Sequence, residues 1–200
     1  ISDPIMDCNI NVCGTLNTLE AARKNKCKKY IFASSGAPLG DQCPPLHEEL
    51  VPKPVSPYGA SKLSGEAYCR AYNKSFGLHT SMLRFSNVYG PGSKHKASVV
   101  SKFIQKILSQ DGIEINGDGT QTRDFIYVDD LVRAINLAML NSHSGIFQIA
   151  TGIETSINAL IEDLNFVCEG LGIKPPNYVN AESLVGDVKR NYSSIEKAKV

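Results

Sequence analysis

Three short apolar runs constrain this chain more than anything else in it. Tyr30-Ile31-Phe32-Ala33, residues 80–85 and residues 146–150 are each too short for a helix and end in polar or turn-forming residues, which predicts buried strands. Between them lie stretches with helical spacing. Residues 9–24 carry Ile10, Cys13, Leu16, Leu19 and Ala22 at that spacing and run into a charged KNKCKK. PVSPYGASKLSGEAY, residues 54–68, reads as a helix entered through a proline-rich loop. Residues 99–108 form a further helix, INGDGTQT is rich in turn formers, and residues 124–128 are a short strand. Asp129 or Asp130 can cap a helix running to about Met139, and Thr155 or Ser156 one running to about Gly170. Strand and helix alternating through short connections is the pattern of a parallel α/β sheet.

Two hundred residues, 42% of them hydrophobic, suffice for one sizeable core or a core with a smaller lobe. Twenty-one basic against twenty acidic residues leave a net charge of +1, so no global field announces nucleic acid or an anionic membrane. Any anion must be met locally. The six cysteines form no C-x-x-C pair and have no histidine at metal-ligand spacing, which predicts free thiols in a reducing compartment and no metal site. With no signal-peptide pattern at the start and no apolar stretch near the ~20 residues of a membrane span, the expected location is the cytoplasm.

The helix that begins in SPYGASK puts Tyr58 and Lys62 one turn apart on one face. A free tyrosine is a phenolate roughly once in a thousand at pH 7, and a lysine cation close by favours that form. Alone, such a pair arises often by chance and reads as a surface tyrosine beside a solvated lysine. Ser35 raises its weight, because it sits at the C-terminal end of the preceding strand, where open α/β sheets place their ligands.

ASSG, SPYGASK, LRFSNVYGPG and INGDGTQTRDFIYVDD, in that order, resemble the extended short-chain dehydrogenase/reductases. Among these they are most similar to the NAD-dependent nucleotide-sugar 4-epimerases of the UDP-glucose and UDP-N-acetylglucosamine type. The resemblance implies a Rossmann-type doubly wound parallel sheet, of which this chain holds the C-terminal half, with a smaller substrate-binding α/β lobe. Residues 1–92 would belong to the NAD-binding domain and residues 93–200 mostly to the substrate lobe, with about 129–150 returning to the sheet. It further implies Tyr58 as catalytic base, Lys62 as the group that holds the nicotinamide ribose and activates the tyrosine, and Ser35 as the partner of the reacting sugar hydroxyl. Asn11, Ser34 and Ser86 would lie against the cofactor. Asn87, Arg123 and Asp187 would meet the substrate, Arg123 at the nucleotide diphosphate. The partner implied is a nucleotide sugar, UDP-linked, and the assembly a homodimer.

The pattern also breaks. An arginine usual in the family two residues before the glycine of VGD is Leu184 here, which leaves Lys189 or Arg190 as possible replacements; a tyrosine before Gly40 is Leu39. The glycine-rich pyrophosphate turn that opens the family's fold is not among these residues, so the chain is expected to be an incomplete copy, inactive by itself. Dehydratases of the same superfamily place an Asp-Glu pair directly after the serine, and decarboxylating members a glutamate at the second of those positions. Gly36 and Ala37 stand there. A non-catalytic binding or scaffold protein is the remaining alternative.

Overall fold

The computed structural model describes residues 3–96, 98–183 and 188–199. Its first helical rod starts earlier than the apolar spacing suggests, because Asp3 caps it and Pro4 occupies its first turn. The rod is α1 (Pro4–Cys8), a π-helical turn (Asn9–Cys13) and α2 (Gly14–Lys24). β1 (Lys29–Ser35) runs through both serines rather than stopping before them. After the proline-rich loop comes α3 (Pro57–Phe76), with the Ser56 hydroxyl accepting from the Gly59 amide, Pro57 in the first turn and Gly77 in the left-handed conformation that ends it. β2 (His79–Phe85) follows, then β3 (Asn87–Tyr89), α4 (Val99–Ser109), β4 (Ile113–Asn116), β5 (Thr122–Arg123) and β6 (Phe125–Tyr127). The chain continues through α5 (Val128–Leu140), β7 (Gly145–Ile149), β8 (Thr155–Ser156), α6 (Ile157–Gly170) and β9 (Tyr178–Ala181).

β1, β2 and β7 form a parallel sheet in that order, with Ser34 opposite Arg84 and Ser35 opposite Phe85. One face packs Phe32 and Met82 against Leu19, Cys69 and Tyr72 of α2 and α3. The other packs Leu83 and Ile149 against Ile126 and against Leu131 and Ala138 of α5. A sheet covered on both faces is the doubly wound arrangement, and each such side chain taken from water is worth about 1.5–3 kcal/mol. A separate cluster of Phe103, Ile107, Ile113, Ile115, Ile157 and Ile161 joins α4, β4 and α6.

Two glycines of α3 set how closely it lies on β1. A Cβ at Gly65 would strike the Phe32 ring, and one at Gly59 would come within 2.6 Å of the Ala37 carbonyl oxygen.

Some expectations are corrected. Asp124 precedes β6 instead of starting it: it is buried and accepts from the Thr151 and Gly152 amides and the Thr151 hydroxyl. Val128 is already helical, and α5 has Tyr127 at its N-cap with no side-chain bond, so Asp129 and Asp130 lie in its first turn and cap nothing. Ser156 does cap α6, accepting from Ala159. INGDGTQT contains part of a strand, since β4 pairs in parallel with β9, and β5 pairs with β8 antiparallel.

Candidate active site

β1 ends at Ser35, and the chain turns immediately through Gly36 and Ala37, against which the first turn of α3 is pressed. That contact sets the turn of α3 that carries Tyr58 against the corner that follows Ser35. The Ala37 amide donates to Ser35 Oγ at 3.2 Å, which leaves the serine's own O–H proton free to be given to a ligand. Lys62, one turn into α3, reaches back over the sheet. Its Nζ lies 5.7 Å from the centre of the Tyr58 ring and 5.2 Å from that of Phe32, and donates to the Ala33 carbonyl at 3.1 Å. Burial lowers the Lys62 pKa from its ordinary value, and the Asp7 carboxylate partly offsets that.

The other expected cofactor residues divide. Ser86 follows β2 on the strand beside Ser35, and its Oγ is buried with no hydrogen-bond partner among the described residues. A buried hydroxyl without a partner suits a bound polar group such as a nicotinamide cofactor. Asn11 lies in the π turn, on a helix that packs against α3; its amide donates to Asp7 at 2.9 Å and its carbonyl accepts from Thr15. Ser34 is the exception to the expected set. Side chains alternate along a strand, so its hydroxyl points away from that of Ser35, is buried, and donates to Glu66 at 2.6 Å. Its side chain therefore faces α3, not the side of Ser35.

From this corner the chain leads into a cleft of about 840 Å³ between β3, α4, β4 and β6. Asn87 lines it, tied to the Asp124 carbonyl by its backbone amide at 3.0 Å and by its side chain at 3.3 Å. Phe103, Ile113, Phe125 and Ile157 supply apolar walls, and Lys102, Lys106 and Arg123 supply cations. Arg123 Nη1 donates to the Thr122 and Val188 carbonyls, which fixes the guanidinium at the wall. Lys102 and Lys106 were not foreseeable as cleft residues, since helical spacing marks their face only as solvent-facing. Asp187 and Leu184 lie outside the described residues. Of the two replacements offered for the missing arginine, Lys189 and Arg190, the latter is bound in two places to Glu154; Leu39, in place of the family's tyrosine, is fully buried rather than open to a ligand.

A tyrosine and lysine share one helical face near a strand-end serine, and the cleft combines apolar walls with cations, an arrangement suited to a small organic ligand. Comparison with known proteins gives the family. Residues 1–150 match the model of the NAD-dependent epimerase/dehydratase family. The chain belongs to that family. It is 36% identical to the UDP-glucuronate 4-epimerase of Thermodesulfobacterium geofontis, over all of this chain and 61% of that protein. It superposes on the UDP-N-acetylglucosamine 4-epimerase of Methanobrevibacter ruminantium, solved with UDP-N-acetylmuramic acid, with a TM-score of 0.92 at 32% identity, covering 100% of this chain and 64% of the other. For the UDP-glucose 4-epimerase of Thermotoga maritima, solved with UDP-glucose, the TM-score is 0.90 at 36% identity, covering 100% and 65%. The chain thus spans somewhat under two thirds of these family members.

Proposed function

We propose that the protein interconverts a UDP-linked hexose and its C4 epimer with bound NAD. The observation that carries this is Tyr58 and Lys62 on one face of α3, with Lys62 bonded to Ala33 and the first turn of the helix against Ala37, two residues beyond Ser35, and a cleft of about 840 Å³ lined by Asn87 and Arg123. On this reading Tyr58 Oη takes the proton of the sugar 4-hydroxyl, while Ser35 donates its hydrogen bond to the same oxygen. The Lys62 ammonium, half buried and anchored on Ala33, offsets the negative charge on the phenol and keeps two further N–H donors for the cofactor ribose. NAD, held by Lys62, Ser86 and Asn11, would supply the hydride chemistry by which the sugar passes through its 4-keto form. Ser86 and Asn11 complete the cofactor side, Asn87 and Arg123 hold the substrate, and Asp187 is assigned to the nucleotide by family resemblance. Residues 1–92 with 129–150 form the cofactor side, and the rest of 93–200 the substrate side.

Elimination of water or loss of carbon dioxide would need a carboxylate beside the reacting ring. Gly36 and Ala37 carry none, and Asp41 is exposed beyond Gly40, whose φ of +69° turns the chain away. The keto sugar is therefore left with re-reduction. Free thiols at all six cysteines, four of them exposed, fit a reducing compartment, and we assign the protein to the cytoplasm as a homodimer. No helix of the described residues is long and apolar enough to cross a membrane. The test is to incubate the full-length protein and NAD with UDP-glucose, UDP-N-acetylglucosamine and UDP-glucuronate and follow products by NMR. A C4 epimer with no net NADH is expected; a 4-keto-6-deoxy sugar or a pentose would overturn the assignment.

A further inference from the structure

Glu66 occupies a position that the proposed chemistry does not use. It lies one turn beyond Lys62 and two beyond Tyr58 on the same face of α3, it is buried, and both its oxygens are engaged. Oε1 accepts from the Ser34 hydroxyl at 2.6 Å and from Arg84 Nε at 2.8 Å, and Oε2 accepts from Arg84 Nη2 at 2.7 Å. Ser34 precedes Ser35 on β1. Arg84 stands opposite Ser34 on β2, two residues before Ser86 and three before Asn87. One carboxylate therefore ties together the three elements that carry the site: the helix with Tyr58 and Lys62, the strand with Ser35, and the strand that leads to Ser86 and Asn87. Every hydrogen bond of the Arg84 side chain among the described residues goes to Glu66, and its Nη1 has no partner.

We infer that Glu66, with Arg84 and Ser34, is a positioning group for the reaction, setting the height and rotation of α3 on the sheet and hence the placing of the Tyr58 phenol relative to Ser35. The apolar contacts of α3 cannot do this alone. Phe32, Cys69 and Tyr72 resist separation of helix and sheet, but dispersion contacts are non-directional and permit sliding. A bidentate carboxylate–guanidinium pair with a third donor fixes direction as well as distance. Gly65 against Phe32 and Gly59 against Ala37 remove side chains that would hold the helix off, so the register of α3 rests on directional polar ties: Thr80 Oγ1 to the Cys69 carbonyl, Lys62 to the Ala33 carbonyl, and the Glu66 cluster, which joins α3 to both β1 and β2.

The inference rests on the proposed C4 chemistry, and its test separates the two. The variants are Glu66→Met with Arg84→Met together, and Ser34→Ala alone. The double replacement removes both charges and keeps the volume, so no buried ion is left unpaired. Three quantities are read on the full-length protein: thermal midpoint, UDP affinity by calorimetry, and kcat and KM for the best UDP-sugar. UDP affinity should stay within about two-fold, since Arg123 and the cleft belong to other elements, and KM should change as little. The kcat of the double variant should fall about a hundred-fold while its midpoint stays near that of the parent, because a misplacement of about 1 Å is worth that much. Ser34→Ala, which leaves the ion pair in place and should fold whatever the double variant does, should lose about ten-fold in kcat at unchanged KM. Parental kcat in Ser34→Ala, or in a folded double variant, would overturn the inference. Failure of the parent to epimerise would instead count against the proposed function, and the variant-to-parent ratio can then be read on NADH absorbance with any sugar nucleotide the parent oxidises.

Discussion

Two carboxylate–guanidinium pairs of nearly identical geometry sit in very different surroundings. Glu66–Arg84 has contacts of 2.8 and 2.7 Å with side chains 3% and 1% exposed, whereas Glu154–Arg190 has two contacts of 2.7 Å with side chains 25% and 51% exposed. Geometry alone would rank them equal. Surroundings reverse that, because the first pair loses its water on folding and cannot regain it if one partner goes, while the second is screened and can trade its partner for solvent. The buried pair joins α3 to the sheet; the exposed pair joins Arg190, bridged to Thr122, to the loop that carries Glu154.

The largest effect should come from unpairing the buried site. Arg84→Met alone strands the Glu66 carboxylate and should cost about 3–5 kcal/mol in urea unfolding, far more than the charge-free double replacement. A loss of a few tenths would show that water reaches the pair and that it resembles its exposed counterpart. Next comes the packing that brings α3 down to the buried pair. Gly65→Ala drives a methyl into the Phe32 ring and should cost about 1–3 kcal/mol, and neutrality would mean that the helix is free to ride up.

The smallest effect belongs to the exposed pair. Glu154→Gln should cost less than about 1 kcal/mol and still less in high salt. The Arg190 guanidinium and the Thr122 hydroxyl lower the Glu154 carboxyl from an ordinary 4.5 to about 2. A depressed carboxyl stabilises the fold above its unfolded value and stops doing so as pH falls through its folded value. The difference between parent and Glu154→Gln should therefore close between about pH 4.5 and 2. A difference constant through that window would mean that the charge of Glu154 does not matter.

The same contrast between local and long-range causes explains how much of the molecule could be read from its sequence. The three strands of the main sheet, the Ser156 cap and the shared helical face of Tyr58 and Lys62 are local signals, and all are present in the structure. β5, β8 and β9 have two to four residues each and exist only because distant segments pair, so no periodicity announces them. Arg84 interrupts an apolar run, and its sequence gives no hint that Glu66, 18 residues earlier, neutralises it. Asp124 was hidden in the same way, because its partners Thr151 and Gly152 are 27 and 28 residues on. The side-chain partner of Ser34 was not legible: adjacent residues in a strand face opposite ways, and its hydroxyl is turned to Glu66, 32 residues on.

The proposed epimerisation depends on Tyr58 as the proton acceptor that α3 positions. Tyr58→Phe keeps the ring and removes only the hydroxyl, so NAD and UDP affinities in the full-length protein should stay within a few-fold. The kcat for UDP-sugar epimerisation should fall by about a hundred-fold or more, the range for losing a positioned acid–base group. Turnover within a few-fold of the parent, with both ligands still bound, would contradict it.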